Sequence, residues 1–312
     1  MATLDDLNLL RTFVRIAEAG SISAAARSLH TTQPTLSRQL KQLESLLDAP
    51  LVQRDSHSMS LTAAGQRLLV DAREILDHVH AATQRANGEH VAPRGHLRVV
   101  TTIDMGQYHV APLLARLREQ CPQLTAEMHV TNRPVKFVEE GFDCGVLVGA
   151  ITDDRLVARR LLENPRVLVA APALVKKLGL PKKPRDLKAW PWVGLLGPHF
   201  LIEHSVPLTN GGKTETLEFD AALRLDGVSS MRAALLAGAG VGVMPHFAVR
   251  EAVAEGALQL LLRDWRIPPV AFHAVYPASP FVPAKVRAFV DLCVQEMPGR
   301  FDEVRCIHLR RS

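Results

Sequence analysis

Thr32-Gln33-Pro34-Thr35-Leu36-Ser37-Arg38-Gln39-Leu40-Lys41 sorts its side chains onto two sides of a helix. Leu36 and Leu40, continued by Leu43 and Leu47, recur at helical spacing as one apolar stripe. At about 100° per residue, Pro34, Thr35, Ser37, Arg38, Lys41 and Gln42 fall on the other face. Those side chains have the size and hydrogen-bonding groups that read base edges in a major groove. Thr32 suits the N-cap, and Pro34 is tolerated in the first turn, where a missing N–H costs nothing.

Working outward, Leu7, Leu10, Val14 and Ala17 make one face of a preceding helix that Gly20 is placed to end. Ser23 opens a small-residue helix, Ala24-Ala25-Ala26-Arg27-Ser28-Leu29, which another helix can cross closely. His30-Thr31-Thr32 between them has the length of a helix-turn-helix turn. Downstream, Leu51-Val52-Gln53-Arg54 and Ser58-Met59-Ser60-Leu61 read as two short strands of a wing, with Asp55-Ser56-His57 at the tip. Thr62 then caps a long helix to about Ala86 with Leu68, Leu69, Ala72, Ile75, Leu76 and Val79 on its stripe. Nothing flanking it in sequence would cover that stripe, which predicts a dimerisation helix.

A chain of 312 residues is too long for one small core. With 47% hydrophobic and 22% charged residues it has the composition of a soluble globular protein. No window approaches the ~18 apolar residues of a membrane span, and no apolar leader opens the chain, so the cytoplasm is the expected compartment. Cys121, Cys144, Cys293 and Cys306 are scattered, which argues against a zinc site or a disulfide framework. The net charge of +5 does not mark the DNA-reading end, because residues 1–90 hold nine Lys/Arg against ten Asp/Glu. Only the placement of Arg27, Arg38, Lys41 and Arg54 points to nucleic acid.

Asn87-Gly88 and Pro93-Arg94-Gly95 mark a linker, after which strands and helices alternate. Residues 97–101, 125–130 and 144–148 read as strands, with helices near 106–119 and 135–140 between them. Strands at 167–171, 240–244 and 271–276 continue the theme, and a helix over 285–296 closes it. Such alternation predicts parallel sheets with right-handed crossovers.

The run Thr32 to Leu40, with Leu43-Glu44, Pro50-Leu51, Arg54 and Leu61-Thr62-Ala64-Gly65, resembles the signature of LysR-type transcriptional regulators. The likeness continues through Gly95-His96-Leu97-Arg98-Val99, Glu140-Gly141-Phe142-Asp143 and Leu156 to Leu161, similar to the CrgA-like subgroup. Ala237 to Pro245 and Lys285 to Phe289 extend it to about Gly299. The resemblance implies an α/β chain: an N-terminal winged helix-turn-helix (residues 1–61), a linker helix forming dimers (62–92), and a periplasmic-binding-protein-like domain of two α/β subdomains (93–300). Subdomain I would take 93–163 and 268–300, subdomain II 164–267, and residues 301–312 would be a tail. It further implies a homotetramer that binds double-stranded DNA and answers to a small effector held between the subdomains.

Carried over by position, Gln33, Pro34, Thr35, Ser37, Arg38 and Lys41 would meet bases and phosphates, with Thr32 at the helix entrance and Arg54 reaching the backbone from the wing. Two departures stand out: Val52 replaces a common phenylalanine, and residues 55–60 hold no Lys or Arg. Wing contacts should therefore be weak and binding less salt-dependent than in relatives.

No catalytic constellation, cofactor or metal site is expected. Gly238-Ala239-Gly240-Val241-Gly242-Val243 has its helix before and its strand after, the reverse of a dinucleotide fingerprint. His78 and His80 are misplaced for a helical metal pair, and no Gly-x-Ser-x-Gly elbow exists. Ligands of open α/β sheets sit beyond the carboxyl ends of strands, near helix N-termini that favour anions. Thr101, Thr102 and Gly149 from one half, and His199, Phe200 and Ser229 from the other, are accordingly the candidate effector contacts, for a ligand such as a carboxylate. The competing expectation is a solute-binding protein or α/β enzyme with an incidental N-terminal helical domain.

Overall fold

The structure is a computed structural model that describes residue 4 and residues 6–54, 59–86, 92–196 and 204–302. His199, Phe200, the wing tip at 55–58, the linker at 87–91 and the tail from 303 lie outside the described residues. The chain forms two compact units, one of residues 1–92 with 136–141 and 279–284, the other of 93–135, 142–278 and 285–312.

In the first unit, α1 (Leu7–Ala19) ends at Gly20, whose left-handed φ of 64° a side chain would strain. Ser21, rather than Ser23, caps α2 (Ile22–Ser28): its hydroxyl accepts from Ala24 N at 3.1 Å. Thr32 caps α3 (Gln33–Leu47), accepting from Thr35 N at 3.4 Å. Leu36, Leu40 and Leu43 are no more than 2% exposed and pack with Leu9, Phe13, Ile16, Ala25 and Ala26. The small Ala25 and Ala26 are what let α3 cross α2 closely. Leu47 does not continue that stripe inward; it is 36% exposed at the helix end.

The wing is β1 (Val52–Arg54) against β2 (Met59–Leu61), antiparallel, with Val52 opposite Leu61. α4 (Ala63–Ala86) follows, its first turn capped by Thr62 Oγ1, which accepts from Gly65 N at 3.0 Å. Gly65 passes so near the preceding strand that a Cβ would lie 2.1 Å from Leu51 O. α1 also presents Leu10 and Val14 to α4, where they bury Ala72 with Leu68, Leu69 and Leu76 around it. The α4 stripe is thus partly covered by its own unit, against the expectation from sequence. Ile75, 40% exposed, is left outside that cover. The short helix α7 (Phe137–Glu140) belongs to the same unit.

The second unit opens with β3 (Gly95–Thr101), then α5 (Ile103–Met105), a π-helical turn (Gly106–Val110) and α6 (Ala111–Gln120) in one continuous helical run. β4 (Leu124–Val130), β5 (Cys144–Val148) and the long β6 (Leu156–Ala170) come next. After α8 (Pro172–Leu178) follow β7 (Trp192–Leu196), the hairpin β8 (Ser205–Asn210) with β9 (Lys213–Glu218), and β10 (Ala221–Asp226). α9 (Val228–Leu236), β11 (Val241–Pro245), α10 (His246–Ala254), β12 (Gln259–Leu261), β13 (Ile267–Pro277) and α11 (Ala284–Asp302) complete it.

The main sheet runs β10-β7-β11-β6-β13-β5-β3-β4, with β12 also on β6. β5, β3 and β4 pair in parallel at one end, β11, β7 and β10 at the other. β6 and β13 lie between and pair antiparallel, Leu156 with Pro277 through Arg166 with Ile267. The segments read from sequence as separate parallel strands at 167–171 and 271–276 are therefore parts of two long antiparallel strands that join the halves. Gly240 and Gly242 are packing residues: a Cβ would lie 2.4 Å from Pro191 O and from Met231 Cε respectively. α11 runs through Asp302, and Phe301 is 5% exposed, so residues 301 and 302, expected in the tail, belong to the helix. Phe301 is helical because it packs among Phe247, Phe272 and His109.

Candidate functional site

The polar side of α3 stays free of its own core. Thr32, Gln33, Pro34, Thr35, Arg38 and Lys41 are exposed and Ser37 is half-buried, while Leu36, Leu40 and Leu43 anchor the opposite side. Gln33 is held at the start of that row by Ser23, whose hydroxyl donates to Gln33 Oε1 at 3.0 Å. Gln39 is drawn off the row instead: Thr12 Oγ1 donates to its Oε1 at 2.8 Å. Arg54 ends β1 opposite Met59. Glu44, which the sequence offered no role, fixes the wing to α3 by accepting from Leu51 N at 2.8 Å and Val52 N at 3.2 Å.

In the second unit, the strand-end residues are tightly engaged. Thr101 is fully buried and its hydroxyl donates to Val146 O at 2.8 Å. Thr102 is 5% exposed and makes no side-chain cap to α5. Gly149 turns at φ 88° and donates its N–H to Ala271 O at 2.8 Å. Ser229 sits in the first turn of α9 and donates its hydroxyl to Asp104 Oδ1. Asp104 also accepts from Val228 N at 2.9 Å and Ser229 N at 3.0 Å, so a carboxylate on α5 closes the N-terminus of α9. Beside it Asn132 Nδ2 donates to Asp226 Oδ1 at 2.9 Å. These two contacts tie the β3–β5 half of the sheet to the β7–β11 half.

Next to Asp104 opens a cavity of ≈ 260 Å³. Asp104, the π-turn residues Tyr108 and His109, and Arg300 of α11 wall one side. Ser229 and Arg232 of α9, with Phe247, Arg250 and Glu251 of α10, wall the other. The π-turn is tolerated because Gly106 can press against β4, where a Cβ would lie 2.5 Å from Val130 Cγ1; such turns concentrate at functional sites. His109 stacks on Phe301 with centroids 4.3 Å apart, and burial, then the charges of Arg300 and Arg250, push its pKa down to about 4. Ser229 alone of the strand-end candidates in the described residues lines this cavity. The arginines come from three helices far apart in sequence, so no local motif could have grouped them; Arg300 fell at the edge of the predicted tail.

Among the described residues no helix is long and apolar enough to cross a membrane. Burial raises the pKa of the thiols of Cys144 and Cys293, which leaves them in the unreactive protonated form.

Comparison with known proteins places both units. Residues 7–66 match the family described as "Bacterial regulatory helix-turn-helix protein, lysR family", and residues 90–298 match "LysR substrate binding domain". The chain is 31% identical over 297 residues to HTH-type transcriptional regulator PtxR of Pseudomonas aeruginosa, covering 95% of this chain and 94% of that one. It is 28% identical to HTH-type transcriptional regulator CrgA of Neisseria meningitidis, over 92% and 96% of the two chains. The solved structure of CrgA superposes with a TM-score of 0.57 at 26% identity, covering 95% of this chain and 99% of that one. A helix-turn-helix match joined to a substrate-binding-domain match favours a regulator over a solute-binding protein or enzyme. The chain belongs to the LysR family: it is a sequence-specific DNA-binding transcriptional regulator whose activity a small-molecule effector modulates.

Proposed function

We propose that α3 reads the operator through Gln33, Pro34, Thr35, Ser37, Arg38 and Lys41, with Thr32 at the entrance of the helix and Arg54 on the phosphate backbone. The observation that carries this is the exposed row from Gln33 to Lys41, backed by leucines no more than 2% exposed. Arg38 and Lys41 supply its positive charge, while residues 1–90 taken together are near neutral. Recognition then depends on a few placed side chains.

The protein acts in the cytoplasm, without catalysis or cofactor, as a homotetramer made of two dimers, each joined through α4. Its effector, a small carboxylate, sits between the two halves of the second unit, near Thr101, Thr102, Gly149 and Ser229, with His199 and Phe200, outside the described residues, as its further contacts. Binding there favours one arrangement of the halves and so changes how the assembly bends DNA. The Asp104–α9 and Asn132–Asp226 contacts support this, since they are what a changed angle would break or remake.

A gel shift on the region upstream of the adjacent divergent gene tests the DNA reading. Wild type is expected to retard it, and Arg38→Ala with Lys41→Ala to lose at least tenfold in affinity, about 1.4 kcal/mol. Undiminished binding by the double variant would sink the assignment.

A further inference from the structure

Arg232, Arg250 and Arg300 are brought to one ≈ 260 Å³ cavity by three different helices. Like charges so gathered repel one another, and the two carboxylates in the walls, Asp104 and Glu251, do not balance three cations. Asp104 is committed to the N-terminus of α9, and Glu251 is exposed. Arg300 leans on Glu296 at 3.5 Å, a carboxylate that Arg116 already holds at 2.9 Å. Arg232 Nε, Arg300 Nε and His109 Nε2 are shielded from solvent without a hydrogen-bond partner. Buried polar atoms in native proteins are seldom left so, and here they belong to residues that line one cavity, two of them guanidinium donors that lack an acceptor. His109, held neutral by burial beside these cations, registers the same positive potential.

We propose that this cavity is an anion site that takes a small carboxylate with a compact apolar body. The guanidinium groups of Arg232, Arg250 and Arg300 receive the carboxylate, as their planar forks suit it. Tyr108, 54% exposed, stands at the mouth, and Phe247 flanks the body of the ligand. The volume lies just below the ~300 Å³ at the small end of ligand pockets, so the body is about one ring in size. Arg300 belongs to one half of the unit and Arg232 and Arg250 to the other, so the anion replaces repulsion between the halves by a shared counter-charge. The inference rests on the proposal that an effector acts on this unit, and moves its charged contacts from the strand ends to the helices.

Calorimetric titration of the full chain with sodium benzoate tests it, with chloride as the ionic-strength control and inorganic phosphate as a second arm. Saturable benzoate binding is expected, one per chain, weakened at least tenfold by Arg232→Gln. Thermal melting in chloride checks that the variant folds; if it does not, Arg250→Gln carries the same expectation. Equal binding of phosphate, equally weakened, would keep the anion site and assign it a phosphorylated ligand. Absence of saturable binding by either anion overturns the proposal, as does binding that both arginine variants leave unchanged. Binding lost instead in Thr102→Val would return the site to the strand ends, with the effector reading intact. That reading fails separately, if no small molecule alters the affinity for DNA.

Discussion

Glu44 shows how one side chain couples two elements. Its Oε1 takes both the Leu51 and Val52 N–H groups at the entrance to the wing. Truncation leaves these donors without an acceptor, so Glu44→Ala is expected to cost about 1.5–3 kcal/mol, read as a lower urea midpoint for the N-terminal unit. Wild-type stability in that variant would mean that the wing is held by strand pairing alone. His109 acts by a different route. Its pKa of about 4 lies below the ordinary 6.5, so the unfolded chain takes up a proton that the folded chain refuses. Stability from its neutral form is complete above about pH 6.5 and drains away as pH falls toward 4. His273, lowered by burial and then by Arg160, pulls in the same direction. The thermal midpoint of His109→Gln should therefore fall less between pH 7 and pH 5 than that of wild type; a slope equal to wild type would remove His109 as its source.

At the scale of elements, α4 does two jobs with one helix. Its first turns bury Ala72, Leu68, Leu69 and Leu76 against Leu10 and Val14 of α1, while Ile75 points outside that contact at 40% exposure. A helix used this way fixes its own direction relative to the DNA-reading helix before any partner arrives. If Ile75 belongs to the dimer seam, Ile75→Glu should lower the mass seen by sedimentation without lowering the folded helix content. An unchanged assembly would place the seam elsewhere on α4. The helical run from Ile103 to Gln120 likewise serves two ends, because its π-turn rotates Tyr108 and His109 toward the cavity while Asp104 closes α9.

At the scale of the whole molecule, the second unit is a continuous sheet whose two parallel ends are joined by antiparallel β6 and β13. Two long strands in the middle permit a change of angle between the ends without breaking either parallel set. Polar contacts link the two ends: Asp104 meets the N-terminus of α9, Asn132 meets Asp226, and three arginines share a cavity. Acid should loosen the unit further through Glu127. Burial alone would raise its carboxyl, but the hydrogen bonds and charge of Arg98, helped by His129 and His96, hold it down to about 2. That stabilisation is present above the ordinary value of 4.5 and is lost as pH falls toward 2. In Glu127→Gln the loss of melting temperature between pH 5 and pH 3 is expected to be shallower than in wild type.

Local order carried the N-terminal half of this chain in its sequence. A stripe of leucines, a threonine cap, a glycine stop and short turns act over a few residues, so the helix-turn-helix and its exposed polar row are legible in the sequence. The strands at Leu97 and Cys144 could be read for the same reason, as short apolar runs between turn signals. The antiparallel pairing of β6 with β13 could not, since it joins residues about a hundred positions apart and alternation along the chain looks the same for either direction. Nor could the buried face of α1 beyond Leu10 and Val14, because Phe13 and Ile16 are hidden by helices that arrive later. The sequence by itself determined that this is a DNA-binding regulator and laid out the helix proposed to do the reading. Only the tertiary structure decided which cations meet around the cavity, because charge acts through space and Arg232, Arg250 and Arg300 become neighbours only when three helices pack.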